Sequence, residues 1–304
     1  MQTKIMTIFT RTPLHVGAGS SVGAIDQPVI RERHTRFPVI PGSAIKGVLA
    51  DLWNNERIQA KDKDGNPKTD KNDKPVMIRQ TVALELFGSD DNDKTSAGNL
   101  LIGEARILAF PVRSAKGSFA LLTCPLALRR FERDANVTLD VAKIKMLSEA
   151  ECIVASTDVI LDNHVILEEY CFKSKDNENI SNIVTEFKKY GDDPVWQEVA
   201  NRLVVVNDEM FSYFVENASE IVTRIRINDE TGTVDKGGLF NQEQIPSETM
   251  FYAVFSETRP ECLTKLEERL SISNNLIQIG GYGTIGLGYC TVKINEYGRN
   301  NEKP

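Results

Sequence analysis

The first fifty residues constrain this chain more than any other stretch. A Thr/Ile/Phe run over residues 5–10 reads as a strand. It leads into Leu14-His15-Val16-Gly17-Ala18-Gly19, then a loop holding a single acid, Asp26, then Arg31-Glu32-Arg33. Gly17 and Gly19 permit backbone shapes that other residues avoid, so another molecule can approach the main chain there. Pro41-Gly42 breaks the chain before a helix whose expected N-cap is Ser43. Ile45, Val48, Leu49, Leu52 and Trp53 follow at helical spacing and form one apolar face. Lys46 lies in the first turn, where a cation opposes the helix dipole. Free N–H groups beside a lysine make a seat for phosphate.

Charge points the same way. The 304 residues carry a net charge of −7, which argues against a surface that binds nucleic acid everywhere. Residues 1–50 are different, with six Lys or Arg against two acids. A basic face on an acidic body can hold a polyanion locally. The five cysteines are scattered, odd in number and without a C-x-x-C, so reduced core thiols are expected rather than a zinc or disulfide framework. No run approaches the ~20 apolar residues that a membrane helix needs, so a soluble, cytoplasmic protein with no membrane partner is expected.

Along the chain, strands and helices alternate without a repeat or a sharp boundary. Polar segments at Lys61–Lys74 and Ser89–Asn99 read as loops. Helices are expected over residues 80–87, Pro125–Asp134, Ile180–Lys189, Pro194–Arg202 and Cys262–Leu270. Strands are expected at Leu100–Phe110, Phe119–Thr123, Thr249–Phe255, Leu276–Ile279 and Tyr289–Ile294, with a frayed, polar last ten residues. Ile221, Ile225 and Ile227 alternate with Val222, Arg224, Arg226 and Asn228, Asp229-Glu230-Thr231-Gly232 supplies a turn, and Thr233–Phe240 returns as a partner strand. The sum is an α+β chain with an antiparallel sheet covered by helices.

Each candidate site residue has a plain reading beside the functional one. Gly281, Gly283 and Gly286 spell G-x-G-x-x-G, but only 16 residues follow Gly288 and they read as a strand, so a dinucleotide-binding unit is disfavoured. A tight turn or a backbone nest that admits phosphate remains. Asp26 is either a solvated loop acid or a group that binds a metal or takes a proton. His15 is a general acid, a phosphate contact or a satisfied buried histidine. In an extended strand Arg31 and Arg33 share a face, which suits phosphate or plain solvent.

Taken together, Thr12-Pro13-Leu14-His15-Val16-Gly17-Ala18-Gly19, Arg31-Glu32-Arg33-His34-Thr35, Phe37-Pro38-Val39-Ile40-Pro41-Gly42-Ser43, Lys46-Gly47, Leu86-Phe87-Gly88, Phe110-Pro111-Val112-Arg113-Ser114, Thr223-Arg224-Ile225-Arg226-Ile227 and the glycine loop resemble the RAMP superfamily. More narrowly they resemble the repeated backbone subunit of type III-B (Cmr) CRISPR effector complexes. The match weakens over 54–80 and 150–200. The resemblance implies one domain over 1–304, a modified RRM-like (ferredoxin-like) antiparallel sheet with helices on one face, insertions near 54–80 and 137–203, and an extended hairpin thumb over 223–246. It implies a subunit that stacks with copies of itself and with other Cmr subunits along a CRISPR guide RNA. Such a subunit cleaves complementary single-stranded target RNA at regular intervals with a divalent metal, Mg2+ or Mn2+. The implied catalytic residue and metal ligand is Asp26, with His15 assisting. Implied RNA contacts are Gly17, Gly19, Arg31, Arg33, Ser43, Lys46, Arg224, Arg226, Leu239, Phe240, Gly281, Gly283, Thr284, Gly286 and Gly288. The rivals are a non-catalytic RNA scaffold of the same complex and, remotely, a metabolic enzyme that uses the glycine loop for a nucleotide cofactor.

Overall fold

The computed structural model describes residues 1–19, 25–61, 65–78, 80–89, 96–144, 146–177, 179–228 and 230–298. In chain order the elements are β1 (Thr3–Thr10), β2 (Val39–Ile40), α1 (Gly42–Asp51), β3 (Ile58–Gln59), β4 (Met77–Ile78), α2 (Thr81–Phe87), β5 (Leu100–Ile102), β6 (Ala105–Arg113), β7 (Phe119–Thr123), α3 (Pro125–Ala135), β8 (Glu151–Val154), β9 (His164–Leu167), β10 (Tyr170–Lys175) and α4 (Ile180–Lys189). They continue with α5 (Pro194–Gln197), α6 (Val199–Arg202), β11 (Leu203–Val205), α7 (Asp208–Asn217), β12 (Glu220–Ile227), β13 (Val234–Gln244), β14 (Met250–Glu257), α8 (Cys262–Ile272), β15 (Leu276–Gln278) and β16 (Tyr289–Glu296).

Among the described residues twelve strands form one sheet, in the order β15-β16-β1-β14-β6-β7-β11-β8-β10-β9, with β2 on β6 and β5 on β14. Most pairs are antiparallel, but β11 runs parallel to β7 and β10 parallel to β8. The expectation of a purely antiparallel sheet is corrected to a mixed one. Each parallel pair includes a strand, β10 or β11, that lies in or begins at the end of residues 137–203, the least readable part of the sequence. Helices cover both faces, not one. In β1, Met6 and Ile8 join one core while Ile5 and Phe9 join the other. In β14, Phe251, Ala253 and Phe255 face the first core and Met250 and Tyr252 the second. β1 is buried on both sides along nearly its whole length, so its sequence does not reveal which face carries helices. The first core is closed mainly by α1, α2, α7 and α8, the second by α3 to α6.

Local chemistry sets the helix ends. Asn207 caps α7 by accepting a hydrogen bond from Met210 N at 2.8 Å, and Asp208 and Glu209 fill the first turn. Cys124 caps α3, Pro125 opens it, and Asn136 in the left-handed conformation ends it. The expected Ser43 cap is corrected. Pro41 occupies the cap of α1 without a side-chain bond, and Ser43 lies inside the first turn, exposed like Lys46. Gly103 separates β5 from β6, where one strand was expected over 100–110, and 194–202 is two short helices rather than one. The cysteines are unpaired, four buried and Cys171 exposed. Parts of both polar loops (62–64 and 90–95), Asp229 of the thumb turn and residues 299–304 lie outside the described residues. Among the described residues no helix is long and apolar enough to cross a membrane.

One titratable group in the frame gives a pH-dependent expectation. Glu248, between β13 and β14, has its carboxyl pushed up to about 7, first by burial and then by the Asp193 carboxylate, against the pull of Arg11 and Arg202. A carboxyl raised in this way binds its proton more tightly in the fold than in the unfolded chain. The stability it contributes is fully present below about 4.5 and is lost as pH rises through about 7. Glu248→Gln therefore stabilises the protein above pH 7 by about 1 kcal/mol, a figure discounted for partial exposure, and changes nothing at pH 4. Paired thermal melts at pH 4 and pH 8 check it.

Candidate functional site

The hairpin β12–β13 stands off the main sheet and pairs only with itself over most of its length. Its base is gripped by the N-terminal loop. Leu14 bridges Ile245, and Gln27 bridges Gln242 in parallel, adding a short third strand. Gln27 N donates to the Asn241 carbonyl at 3.0 Å, and Glu243 N donates to the Gln27 carbonyl at 2.9 Å. The exposed Asp26 carboxylate is fixed on this edge. Its Oδ2 accepts a hydrogen bond from Asn241 N at 2.8 Å. Among the described residues its Oδ1 carries no hydrogen bond. Its neighbour Gln27 lines an open groove of about 600 Å3, together with Arg224, Ile225, Arg226, Phe240 and Tyr282 among others.

His15 lies beneath this edge, 5% exposed. Its Nδ1 donates to the Glu243 carbonyl at 2.7 Å, because a carbonyl only accepts. A Cβ on Gly17 would stand 3.0 Å from His15 Nε2. His15 is thus a buried histidine whose Nδ1 is tied to the thumb base, with no hydrogen bond of its Nε2 among those described.

The glycine loop closes over the other side of His15. Gly281 N donates to the His15 carbonyl at 2.9 Å. Gly280 (φ 82°) and Gly288 (φ 75°) have no room for a side chain, since a Cβ would strike the His15 and Ile279 carbonyl oxygens. Gly286 (φ 90°) faces open space, and Thr284 is exposed. The loop thus serves both readings, with Gly280 and Gly288 needed for packing and Gly281 and Gly286 leaving the backbone accessible. Gly283–Ile285 is a single 3-10 turn followed by β16, antiparallel to β1 and β15. A dinucleotide fingerprint must open a helix in a βαβ unit, so the nucleotide-cofactor reading has no structural basis here.

The arginines divide. Arg31 is buried, its side chain 4% exposed, and it pairs with Glu243 at 2.5 Å while donating to Ser219 Oγ and the Arg36 carbonyl. Arg33 lies in an exposed turn. The two do not share a strand face, and Arg31 is a fold residue rather than a phosphate contact. Arg224 donates from Nε to Gln242 Oε1 at 2.7 Å and stands over the Tyr282 ring. Arg226 is exposed, 3.5 Å from Asp235. Leu239 and Phe240 lie on opposite faces of the hairpin, because strand side chains alternate. Phe240 pairs with Arg224 toward the groove, and Leu239, 62% exposed, pairs with exposed Ile225. The two cannot act as one wedge. The exposed apolar side is Ile221, Ile225 and Leu239. Gly19, like Gly17, is exposed. Ser43 and Lys46 share an exposed face of α1, and no described hydrogen bond or ion pair links them to the groove. Sequence reasoning missed Gln27 and Tyr282, which carry no charge and match no short motif. The positive φ of Tyr282, 64°, is a backbone fact invisible in sequence.

A metal was expected at Asp26. Among the described residues no group of three His, Cys, Asp or Glu side chains could hold one. A single carboxylate is a donor that Mg2+ or Mn2+ would accept only with waters and substrate phosphates as the remaining ligands.

Comparison with known proteins follows the same line. The RAMP superfamily model matches residues 7–291. The CRISPR system Cmr endoribonuclease Cmr4 of Pyrococcus furiosus is 35% identical over 312 aligned residues, covering 99% of this chain and 98% of the relative. The crystal structure of oligomeric Cmr4 from the same organism superposes with a TM-score of 0.69 at 30% identity, over 98% of this chain and 99% of that one. A chain of the cryo-EM structure of the type III-B Cmr-beta complex bound to cognate target RNA shares the fold, with a TM-score of 0.73 at 20% identity over 97% of both chains. With the superfamily model spanning most of its length and a Cmr4 relative aligned nearly end to end, this chain belongs to the RAMP superfamily, in its Cmr4 branch.

Proposed function

We propose that this chain is the repeated backbone subunit of a type III-B RNA-guided complex, which binds guide RNA and cleaves complementary target RNA as an endoribonuclease. The observation that carries the reading is the placement of Asp26. An exposed carboxylate is held by Asn241 at the foot of a projecting hairpin, next in sequence to Gln27, which lines an open groove with arginines and aromatic rings on its walls. RNA supplies its own nucleophile. Asp26 Oδ1 takes the proton of a 2′-hydroxyl as that oxygen bonds to the adjacent phosphorus, the phosphorus–5′-oxygen bond breaks and the leaving oxygen takes a proton from water, or it holds a divalent ion against the same phosphate. Such an ion, when bound, offsets the charge that builds on the phosphate oxygens. One acid is then enough, and no second catalytic motif is needed. Exposed Arg33, Lys46, Ser43, Gly17, Gly19 and Arg226, with Thr284 and Gly286 of the glycine loop, meet the RNA backbone, which needs no base-specific contacts. The apolar side of the hairpin, at Ile225 and Leu239, works against the duplex of a neighbouring copy. The sheet about β1 forms the RRM-like core of one domain, with the β8–β11 region and 54–80 inserted into it.

The test is cleavage of a guide-complementary RNA by the complex reconstituted from this chain, guide RNA and its companion subunits. Evenly spaced products that vanish under chelator are expected, with the dilute lone chain poorly active. Full-rate cleavage by the lone chain, or a single product from the complex, contradicts the filament. Even spacing that persists in chelator removes the metal alone.

A further inference from the structure

The side chain next to the acid sits at a junction of hydrogen bonds whose direction can be worked out. A guanidinium only donates, so Arg224 Nε gives its proton to Gln242 Oε1 at 2.7 Å. Gln244 Nε2 donates to the same oxygen at 2.9 Å. Gln242 is fully buried, and with its oxygen filled its NH2 must serve the other side. It donates to Gln27 Oε1 at 3.1 Å. The Tyr282 hydroxyl donates to that same Gln27 oxygen at 2.8 Å. The orientation of each amide follows from the arginine and is not a free choice. Gln27 Oε1 is therefore where a thumb-strand amide and a glycine-loop phenol meet.

Tyr282 is itself braced. Its ring meets His15 edge-on at 5.8 Å, and the Arg224 guanidinium stands 5.5 Å from its centroid. It holds a positive φ within a run of glycines, where glycine would be the easier choice, so the ring is kept against a backbone cost.

We infer that Gln27, held by Gln242 and Tyr282, is the positioning residue that aims Asp26. The inference rests on reading Asp26 as the reactive group. Side chains alternate along an extended segment, so fixing Gln27 by bonds from two distant parts of the chain fixes the local backbone rotation and with it the direction of the Asp26 carboxylate. Without that anchor the exposed acid keeps the Asn241 N–H, and Gln27 keeps only its two backbone bonds to β13. Gln27 need not touch RNA to do this.

The experiment is single-turnover cleavage by the reconstituted complex, measured across target concentration, for Gln27→Ala, Tyr282→Phe, the double variant and Asp26→Asn. Gln27→Ala is expected to lower the saturating rate about tenfold. Tyr282→Phe, which deletes one oxygen and keeps the ring, lowers it less. The half-saturating target concentration and guide binding stay unchanged in both. The double variant is no slower than Gln27→Ala, because both changes remove the same bond. Where Gln27→Ala fails to assemble, Tyr282→Phe carries the test. A wild-type saturating rate in the single variants, a loss that lies wholly in target affinity, or additive effects in the double variant overturns the inference. An inactive Asp26→Asn beside unimpaired Gln27 and Tyr282 variants sinks this inference alone, whereas a fully active Asp26→Asn sinks the parent reading with it.

Discussion

Asp26→Asn lowers target cleavage by at least about 10^2-fold while guide binding and thermal stability stay at wild-type values. The magnitude is that of a positioned proton acceptor, about 10^2 to 10^4 in rate, and loss of a metal ligand falls in the same range. The substitution isolates charge from shape. Asparagine keeps an oxygen that can accept the Asn241 N–H, so the carboxamide can occupy the place of the carboxylate. The side chain is exposed, and changes at such positions move stability by about 0.5 kcal/mol or less. Three measurements on one preparation decide it: single-turnover cleavage, guide binding and a melt. Cleavage within threefold of wild type would make this chain a scaffold and move the chemistry to another subunit. Loss of guide binding alongside cleavage would mean that Asp26 organises the loop rather than the reaction.

The features that carry this prediction were uneven in their sequence signal. The apolar face of α1 and the alternation of the thumb hairpin follow from periods of 3.6 and 2 in the residues themselves, and β1 follows from its Thr/Ile/Phe run. Asp26 stood out only through resemblance, since a lone loop acid has no pattern. Arg31 was misjudged for a physical reason. Its partner, Glu243, lies 212 residues away, and nothing local distinguishes a buried guanidinium from a solvated one. The same holds for Gln27, whose two partners are 215 and 255 residues distant. The helices on both faces of the sheet were hidden because β1 and β14 are buried at nearly every position, the polar Lys4, Thr7 and Thr10 of β1 included, so neither strand shows one polar and one apolar side. Leu239 and Phe240 looked like one wedge because they are adjacent, although in a strand adjacency means opposite faces.

Arg31→Ala lowers the stability of the free chain by about 3 to 5 kcal/mol, the cost of leaving a buried partner charge uncompensated. The Arg31 side chain is 4% exposed and that of Glu243 5%, so the pair is withdrawn from water and each charge depends on the other. Glu243 cannot swing out to be solvated, since its second oxygen accepts the Val29 N–H at 2.9 Å and its carbonyl accepts from His15. The pair also spans the junction on which the site depends, from the loop after Asp26 to the return strand of the thumb. Its loss therefore loosens the thumb base first, seen as faster amide exchange at Gln27 and Glu243, whose N–H groups bridge the two segments. Arg33→Ala is the control. That residue lies two positions away in an exposed turn, so its removal costs about 0.5 kcal/mol or less and shows only in RNA affinity. Denaturant melts of the two variants without RNA separate the cases. If Arg31→Ala melts like wild type and instead weakens guide binding, Arg31 is a phosphate contact and the buried pair is not what holds the thumb to the catalytic loop.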